Sequence, residues 1–128
     1  MAFSQAVFEN IDGKGAKLQQ IGDPGNTLRV VETRKVRIVS LRLKNTQATL
    51  NFVKLWQNPA LVVSGTTFPR ICLPVAASTG EYTAVPDDED SQPVMNGIGI
   101  MSVTTGGKDN TTGGATAQTI WLLTKIFA

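Results

Sequence analysis

The residues best suited by type to do chemistry fall in one stretch, VTTGGKDNTTGG at 103–114, where two Gly-Gly pairs bracket Lys108, Asp109 and Asn110. A glycine-rich backbone with a lysine suggests a phosphate cradle, and Asp109 with Asn110 offers oxygens to a cation. The spacing argues against both. A phosphate-binding P-loop runs Gly, four residues, then Gly-Lys-Ser/Thr into a helix. Here Gly107-Lys108 is followed by Asp109, the residue five before Gly107 is Ser102, and the sequence beyond is β-patterned. One carboxylate is too few for a calcium loop. The stretch therefore reads as a hairpin connection between two antiparallel strands, with glycine supplying the positive φ of tight turns.

Other routes to catalysis are thin. The chain has no histidine, which excludes Ser-His and Cys-His nucleophilic pairs and removes the commonest metal ligand. Its one cysteine, Cys72, lies in the apolar run FPRICLPV and reads as a buried structural thiol; an intramolecular disulfide is impossible. A zinc site would have to combine that thiol with carboxylates. A carboxylate pair of glycosidase type stays open, but Asp87, Asp88, Glu89 and Asp90 are contiguous, the pattern of a solvated loop or a contact with a basic partner. The expectation is a non-enzymatic protein with no metal and no other cofactor.

Charge points to contact instead. The net charge is only +2, yet from Arg29 to Lys54 there are seven basic residues and one acid, Glu32, while Glu81 to Asp90 holds five acids and no base. Such polarity favours oriented association, including with a second copy of the chain. The candidate contact residues are Arg34, Lys35, Arg37, Arg42 and Lys44, with Asp87, Asp88, Glu89 and Asp90 as the complementary segment. Proteins that hold single-stranded nucleic acid interleave aromatics among their basic residues, and none occurs between Arg29 and Lys44, so an anionic protein surface fits better. No apolar run approaches the roughly 20 residues of a membrane span, and the first residues lack the basic start and apolar core of a signal peptide. The expectation is cytoplasmic synthesis and no membrane partner. Trp56 and Trp121 sit in apolar strand patterns and are expected in the core.

The elements that must position these residues are strands. A chain of 128 residues fits one domain that buries roughly two-thirds of its unfolded surface. Apolar positions alternate or form short β-branched runs bounded by Gly, Pro, Asn and Asp, and no amphipathic helix emerges. Strands are expected at 27–32, 35–45, 49–58, 68–75, 97–105 and 116–127. In KVRIVSLRLKN at 35–45 the apolar set passes from Val36 and Ile38 to Val39, Leu41 and Leu43; strict alternation then requires a β-bulge or bend near Ile38–Ser40. The prolines of FPRICLPV suggest an edge or strand ends. The last strand is apolar on both faces and is expected to be central or covered. Residues 77–97 read as a long acidic loop. Residues 1–26, with DGKG and GDPGN turns, read as a strand or two, or as an arm that orders against a partner, ahead of a domain at 27–128. The fold class expected is all-β, a single antiparallel β-sandwich of jelly-roll-like or immunoglobulin-like type.

Taken together, NTQATLNFVKLWQNPALVVSGTTFPRICLPV and NGIGIMSVTTGGKDNTTGGATAQTIWLLTKIF resemble a group of small tailed-bacteriophage virion proteins. The shared pattern is an Asn-x-x-Ala segment entering a strand that ends Lys-Leu-Tyr/Trp (here Asn45, Ala48, Lys54-Leu55-Trp56), a loop glycine (Gly65) and a Pro-containing strand (Ile71–Val75). A Gly-Ile-(Ala/Gly)-Ile strand (here Gly97–Ile100) follows, then a Thr-Gly-(Ala/Gly)-x-Asp-x-Thr-Thr loop (here Thr105–Thr112) and a closing strand. The resemblance covers residues 45–127; residues 1–44 and the acidic insert at 87–90 lie outside it. It implies a β-sandwich virion component, first a capsid decoration (cement) protein on the head exterior. Such a protein would be a homotrimer around a local threefold axis that clamps neighbouring subunits of the major capsid protein. A tail or head-fibre attachment module that binds a receptor is the alternative it leaves open.

Overall fold

The structure is a computed structural model that describes residues 3–10, 13, 15–45, 49–63, 65–75, 80–84, 92–104, 106 and 118–126, with 80–84 described by backbone alone. It is all-β. Eight strands follow in chain order: β1 (Ser4–Phe8), β2 (Ala16–Gly22), β3 (Arg29–Asn45), β4 (Asn51–Trp56), β5 (Ile71–Val75), β6 (Gly80–Ala84), β7 (Val94–Val103) and β8 (Gln118–Ile126); a 3-10 turn spans Pro59–Leu61. They form one antiparallel sheet in the order β1-β2-β8-β3-β7-β4-β5, with β6 beside β3.

The expected all-β antiparallel class holds, and the ladder that builds it is unbroken. Its backbone is β3, which pairs with β7 through Arg29–Arg37 and with β8 through Val36–Asn45, so no gap opens between two layers. Burial comes from coiling. Ile21 on β2 and Leu55 on β4 stand four strands apart on the ladder, about 19 Å if the sheet were flat, yet both belong to one buried cluster with Val31, Leu43, Ile98 and Leu122. The inner face must curl back on itself to bring them together.

β3 also merges the two strands expected at 27–32 and 35–45. Nothing between them breaks a strand; the joint carries register shifts against β7 between Val30 and Glu32 and between Glu32 and Lys35. The bulge expected near Ile38–Ser40 is present as a register shift against β8, and it keeps Ile38, Leu41 and Leu43 all buried. The prolines of 68–75 place β5 as expected, at the sheet edge with Pro74 exposed. The last strand is central as expected, between β2 and β3.

Other expectations change. The loop expected at 77–97 contains β6 and the start of β7. Residues 1–26, where a strand or two or an arm stood open, contribute β1 and β2; β2 pairs along its length with β8 and buries Ala16, Gln19 and Ile21. The stretch 103–114 does not close a hairpin. β7 and β8 flank β3 on opposite sides, each antiparallel to it, so they run parallel to each other, and joining them takes a crossover of a dozen residues or more rather than a tight turn. Residues 105 and 107–117 of that connection lie outside the described residues.

β7 is buried on both faces. Its second face meets Trp56, Met101 and Val103 with Leu28 and Val62, under the segment that follows β4. The Gly-Ile-Gly-Ile spacing has a local reason. A Cβ on Gly97 would lie 3.0 Å from Pro59 Cδ and 3.1 Å from Glu32 O, and its φ is +75; a Cβ on Gly99 would lie 2.7 Å from Leu28 Cδ1. The glycines let the 3-10 turn and Leu28 pack onto the strand backbone.

Candidate functional site

The strongest electrostatic feature is one the basic run hides. Glu32 is the single acid from Arg29 to Lys54, and its side chain is 2% exposed. Its Oε2 accepts the backbone N–H groups of Thr33 (2.8 Å) and Arg34 (3.0 Å) and the Arg34 Nε–H (3.2 Å). Its Oε1 accepts from Arg34 Nη2 at 3.1 Å and Lys17 Nζ at 3.3 Å. Burial alone would raise this carboxyl; the Arg34 side-chain bond, the two backbone bonds and the Lys17 charge outweigh it and hold the pKa at about 2. The hydrogen bond to Glu32, with its charge, raises Arg34 above its usual value. The carboxylate thus pins the β3 bulge, because two donors that the ladder cannot pair at the register shift are satisfied by it. Glu9 completes the cluster 4.0 Å from Lys17. This arrangement is structural: its charges are satisfied by each other.

The basic candidate contact residues lie in three places, because the register shifts of β3 turn its faces. Arg34 is engaged with Glu32. Lys35 lines a groove near the start of β3. Arg37, Arg42 and Lys44 lie on the outer face of the β1-β2-β8-β3 layer. Asp87, Asp88, Glu89 and Asp90 lie outside the described residues.

The outer face is built by register. One cross-strand row runs Phe8–Leu18–Leu123–Ser40 and the next Ala6–Gln20–Trp121–Arg42, followed by Ser4–Gly22–Thr119–Lys44. Arg37 stands opposite Lys125. An apolar strip, with Phe8 exposed and Leu18, Trp121 and Leu123 half-buried, is therefore rimmed by Arg37, Arg42, Lys44 and Lys125. The Arg42 guanidinium lies 4.9 Å from the Trp121 ring centroid, a cation–π contact that flattens both side chains on the sheet. Trp121 is thus an outer-face residue rather than a core one. Trp56 is core as expected, 1% exposed, its Nε1–H donating to Thr67 O at 2.9 Å.

A second exposed surface lies beside the start of β3. After β4, Asn58 adopts a left-handed φ of 50 and the chain enters the 3-10 turn. This segment exposes Leu61 (77%), Val63 and Phe68 (68%) next to exposed Val30. A groove of about 430 Å³ runs between Val30, Thr33, Lys35, Pro59, Leu61 and Asn96; a smaller one of about 300 Å³ lies across Leu61, lined by Trp56, Phe68 and Arg70 among others. Isolated exposed apolar residues are ordinary, but this many together, with Lys35 and Arg70 and no acid among the described residues that line the two grooves, mark a contact surface.

A buried polar cluster ties down the start of β8. Asp23 accepts the Gln118 N–H through Oδ1 (2.8 Å) and donates its own N–H to Gln118 O (3.1 Å), and the Ser102 hydroxyl bonds Gln118 Oε1. Ser102 and Gln118, which flank residues 103–117, meet here, and Gly106 lies against the Phe52 ring. Cys72 is half-buried and free, not fully buried as expected. Among the described residues no group of three or more Cys, Asp and Glu is placed to hold a metal, and no helix is long and apolar enough to cross a membrane.

Sequence reasoning missed Glu32, whose signal was its isolation among bases. It also missed the Leu61–Phe68 surface, for which no local pattern distinguishes exposed from buried apolar residues. No family model, curated protein or solved structure matched the chain in the three comparisons made.

Proposed function

We propose that the chain is a non-enzymatic structural protein of a phage virion, one that decorates the capsid and stabilises it by bridging neighbouring subunits of the major capsid protein. The observation that supports this best is the placement of two contact surfaces at the two ends of one long strand. Val30 and Lys35, near the start of β3, belong to the Leu61 groove, and Arg42 and Lys44, near its end, belong to the outer face. From Val30 to Arg42 the strand runs at most about 40 Å, shortened by its bulges, and it sets the two surfaces apart on one body. Its rigidity comes from a continuous ladder and the Glu32 clamp. The outer face combines an apolar strip with a basic rim and so fits an acidic protein surface, where complementarity supplies orientation and on-rate. Repeated copies on a symmetric shell add avidity to a modest single contact.

The test is co-sedimentation with heads from the same genome that lack this protein. The wild type should pellet with heads, and the triple variant Arg42→Glu, Lys44→Glu, Lys125→Glu should remain in the supernatant while keeping its fold by circular dichroism. Wild type that stays in the supernatant at low salt overturns the reading; wild type that pellets with isolated tails and not with heads directs it to an attachment module.

A further inference from the structure

We infer that a second copy of this chain pairs with it edge to edge through β1, antiparallel across a twofold axis at Ala6, extending the eight-stranded sheet into one of sixteen strands. This holds whether or not the chain sits on a capsid.

Among the described strands the main path of the sheet ends at β1 and β5, with the short β6 beside β3 off that path. Exposed edges carry a row of unpaired backbone N–H and C=O groups, and proteins that stay monomeric blunt them with proline, charge or bulges. β5 is blunted. Pro74, the fourth of its five residues and exposed, has no N–H to offer a further strand, so a neighbour there would miss a donor. β1 has none of these devices. All five of its residues are exposed, its sequence SQAVF contains no charge and no proline, and it pairs with β2 without a register shift. Val7 and Phe8 are 44% and 53% exposed.

The occupant follows from this asymmetry. A closed threefold ring, as the resemblance implies, joins two different surfaces head to tail; through the edges it would need β1 against β5, where Pro74 interrupts the ladder. β1 against another β1 is isologous and meets no such gap. The register with full overlap of Ser4–Phe8 puts Ala6 opposite the other Ala6, Val7 opposite Gln5 and Phe8 opposite Ser4, and brings no like charges together. One step beyond the strand it also matches charge. Glu9 of one copy falls opposite Phe3 of the other, on the same side of the sheet, and Phe3 carries the Arg29 guanidinium 4.6 Å above its ring. The Glu9 side chain stands 4.0 Å from Lys17 of its own chain but is 67% exposed, which leaves it able to swing to that cation in the pair. Pairing would also join the two outer faces into one broad face with Phe8 near its centre.

The experiment is sedimentation equilibrium of the full chain over a concentration series, followed by two variants. The wild type should give a dimer mass at the upper concentrations. Ala6→Lys, which sets two ammonium groups face to face on the axis, should remain monomeric throughout with an unchanged circular dichroism spectrum. In a Cys72→Ser background, Ala6→Cys should form an intermolecular disulfide on mild oxidation at least tenfold more efficiently than Ser4→Cys, whose register partner is Phe8. A wild type that is monomeric at every concentration, a trimer, a dimer that survives Ala6→Lys, or equal cross-linking at positions 4 and 6 would each overturn the inference.

Discussion

Replacing Glu32 with glutamine is the substitution whose consequence the structure specifies most fully. The carboxylate is almost completely buried and accepts five hydrogen bonds, from two backbone N–H groups, from Arg34 twice and from Lys17. A carboxyl held at about 2 rather than at 4.5 contributes about 3 kcal/mol to stability at neutral pH. Glutamine keeps one acceptor oxygen but turns its amide N–H groups toward the donors of the bulge, so a loss of about 3 kcal/mol is expected at pH 7, a shift of about 2 M in urea midpoint. The pH dependence has a definite sign. Because the folded value lies below the unfolded one, the unfolded chain takes up the proton first. The contribution is full above pH 4.5 and is lost as pH falls from 4.5 toward 2. Urea unfolding of both proteins from pH 2 to pH 7 reads this directly: the gap in stability should be widest at neutral pH and close toward pH 2, and taking the difference removes the contribution of the other acids. A Glu32→Gln protein as stable as the wild type at pH 7, or a gap independent of pH, refutes the argument that this carboxylate pins the bulge.

Gly97→Ala should cost about 2 kcal/mol, since it combines a positive φ with contacts to Pro59 and to the Glu32 backbone oxygen; Gly99→Ala should cost less, because it meets the movable end of Leu28, and thermal denaturation ranks the two. Ile21→Ala should destabilise by about 3 kcal/mol if β2 is a core strand, whereas Phe8→Ser, on the exposed edge, should change stability by less than about 1 kcal/mol. Arg42→Ala should lower stability by only about 0.5–1 kcal/mol but shift Trp121 fluorescence to the red as the ring loses its cover, while Lys35→Ala leaves the emission unchanged.

Much of the strand content was legible because its causes are local. Alternation marked the strands now seen as β3, β4, β7 and β8, and the phase change within 35–45 located a bulge, since a half-buried strand cannot switch its apolar parity without one. Pro74 forecast an edge because proline lacks the donor a central strand needs. What stayed open or failed shares a cause as well. At residues 1–26 a strand or two stood against an arm, because the segment is polar and glycine-punctuated; β2 is a strand because β8 pairs with it, not because its own pattern demands one. The 103–114 stretch looked like a hairpin since glycine and threonine are turn-compatible; that β3 separates the strands it joins depends on pairing between segments distant in the chain. Of the candidate site, the basic residues were visible individually, but their grouping was not, because the register shifts of β3 redirect them.

By itself, then, the sequence determined the β class, the position of one bulge, the edge character of β5, and the absence of any histidine-based chemistry, for each of these follows from residue type and near-neighbour spacing. Only the tertiary structure decided that β3 is the common spine of one coiled sheet, that Glu32 is buried among its donors, that Arg42 lies over Trp121, and that β1, among the described strands, pairs with β2 alone. Those are matters of cross-strand register, which long-range burial selects and no local pattern encodes.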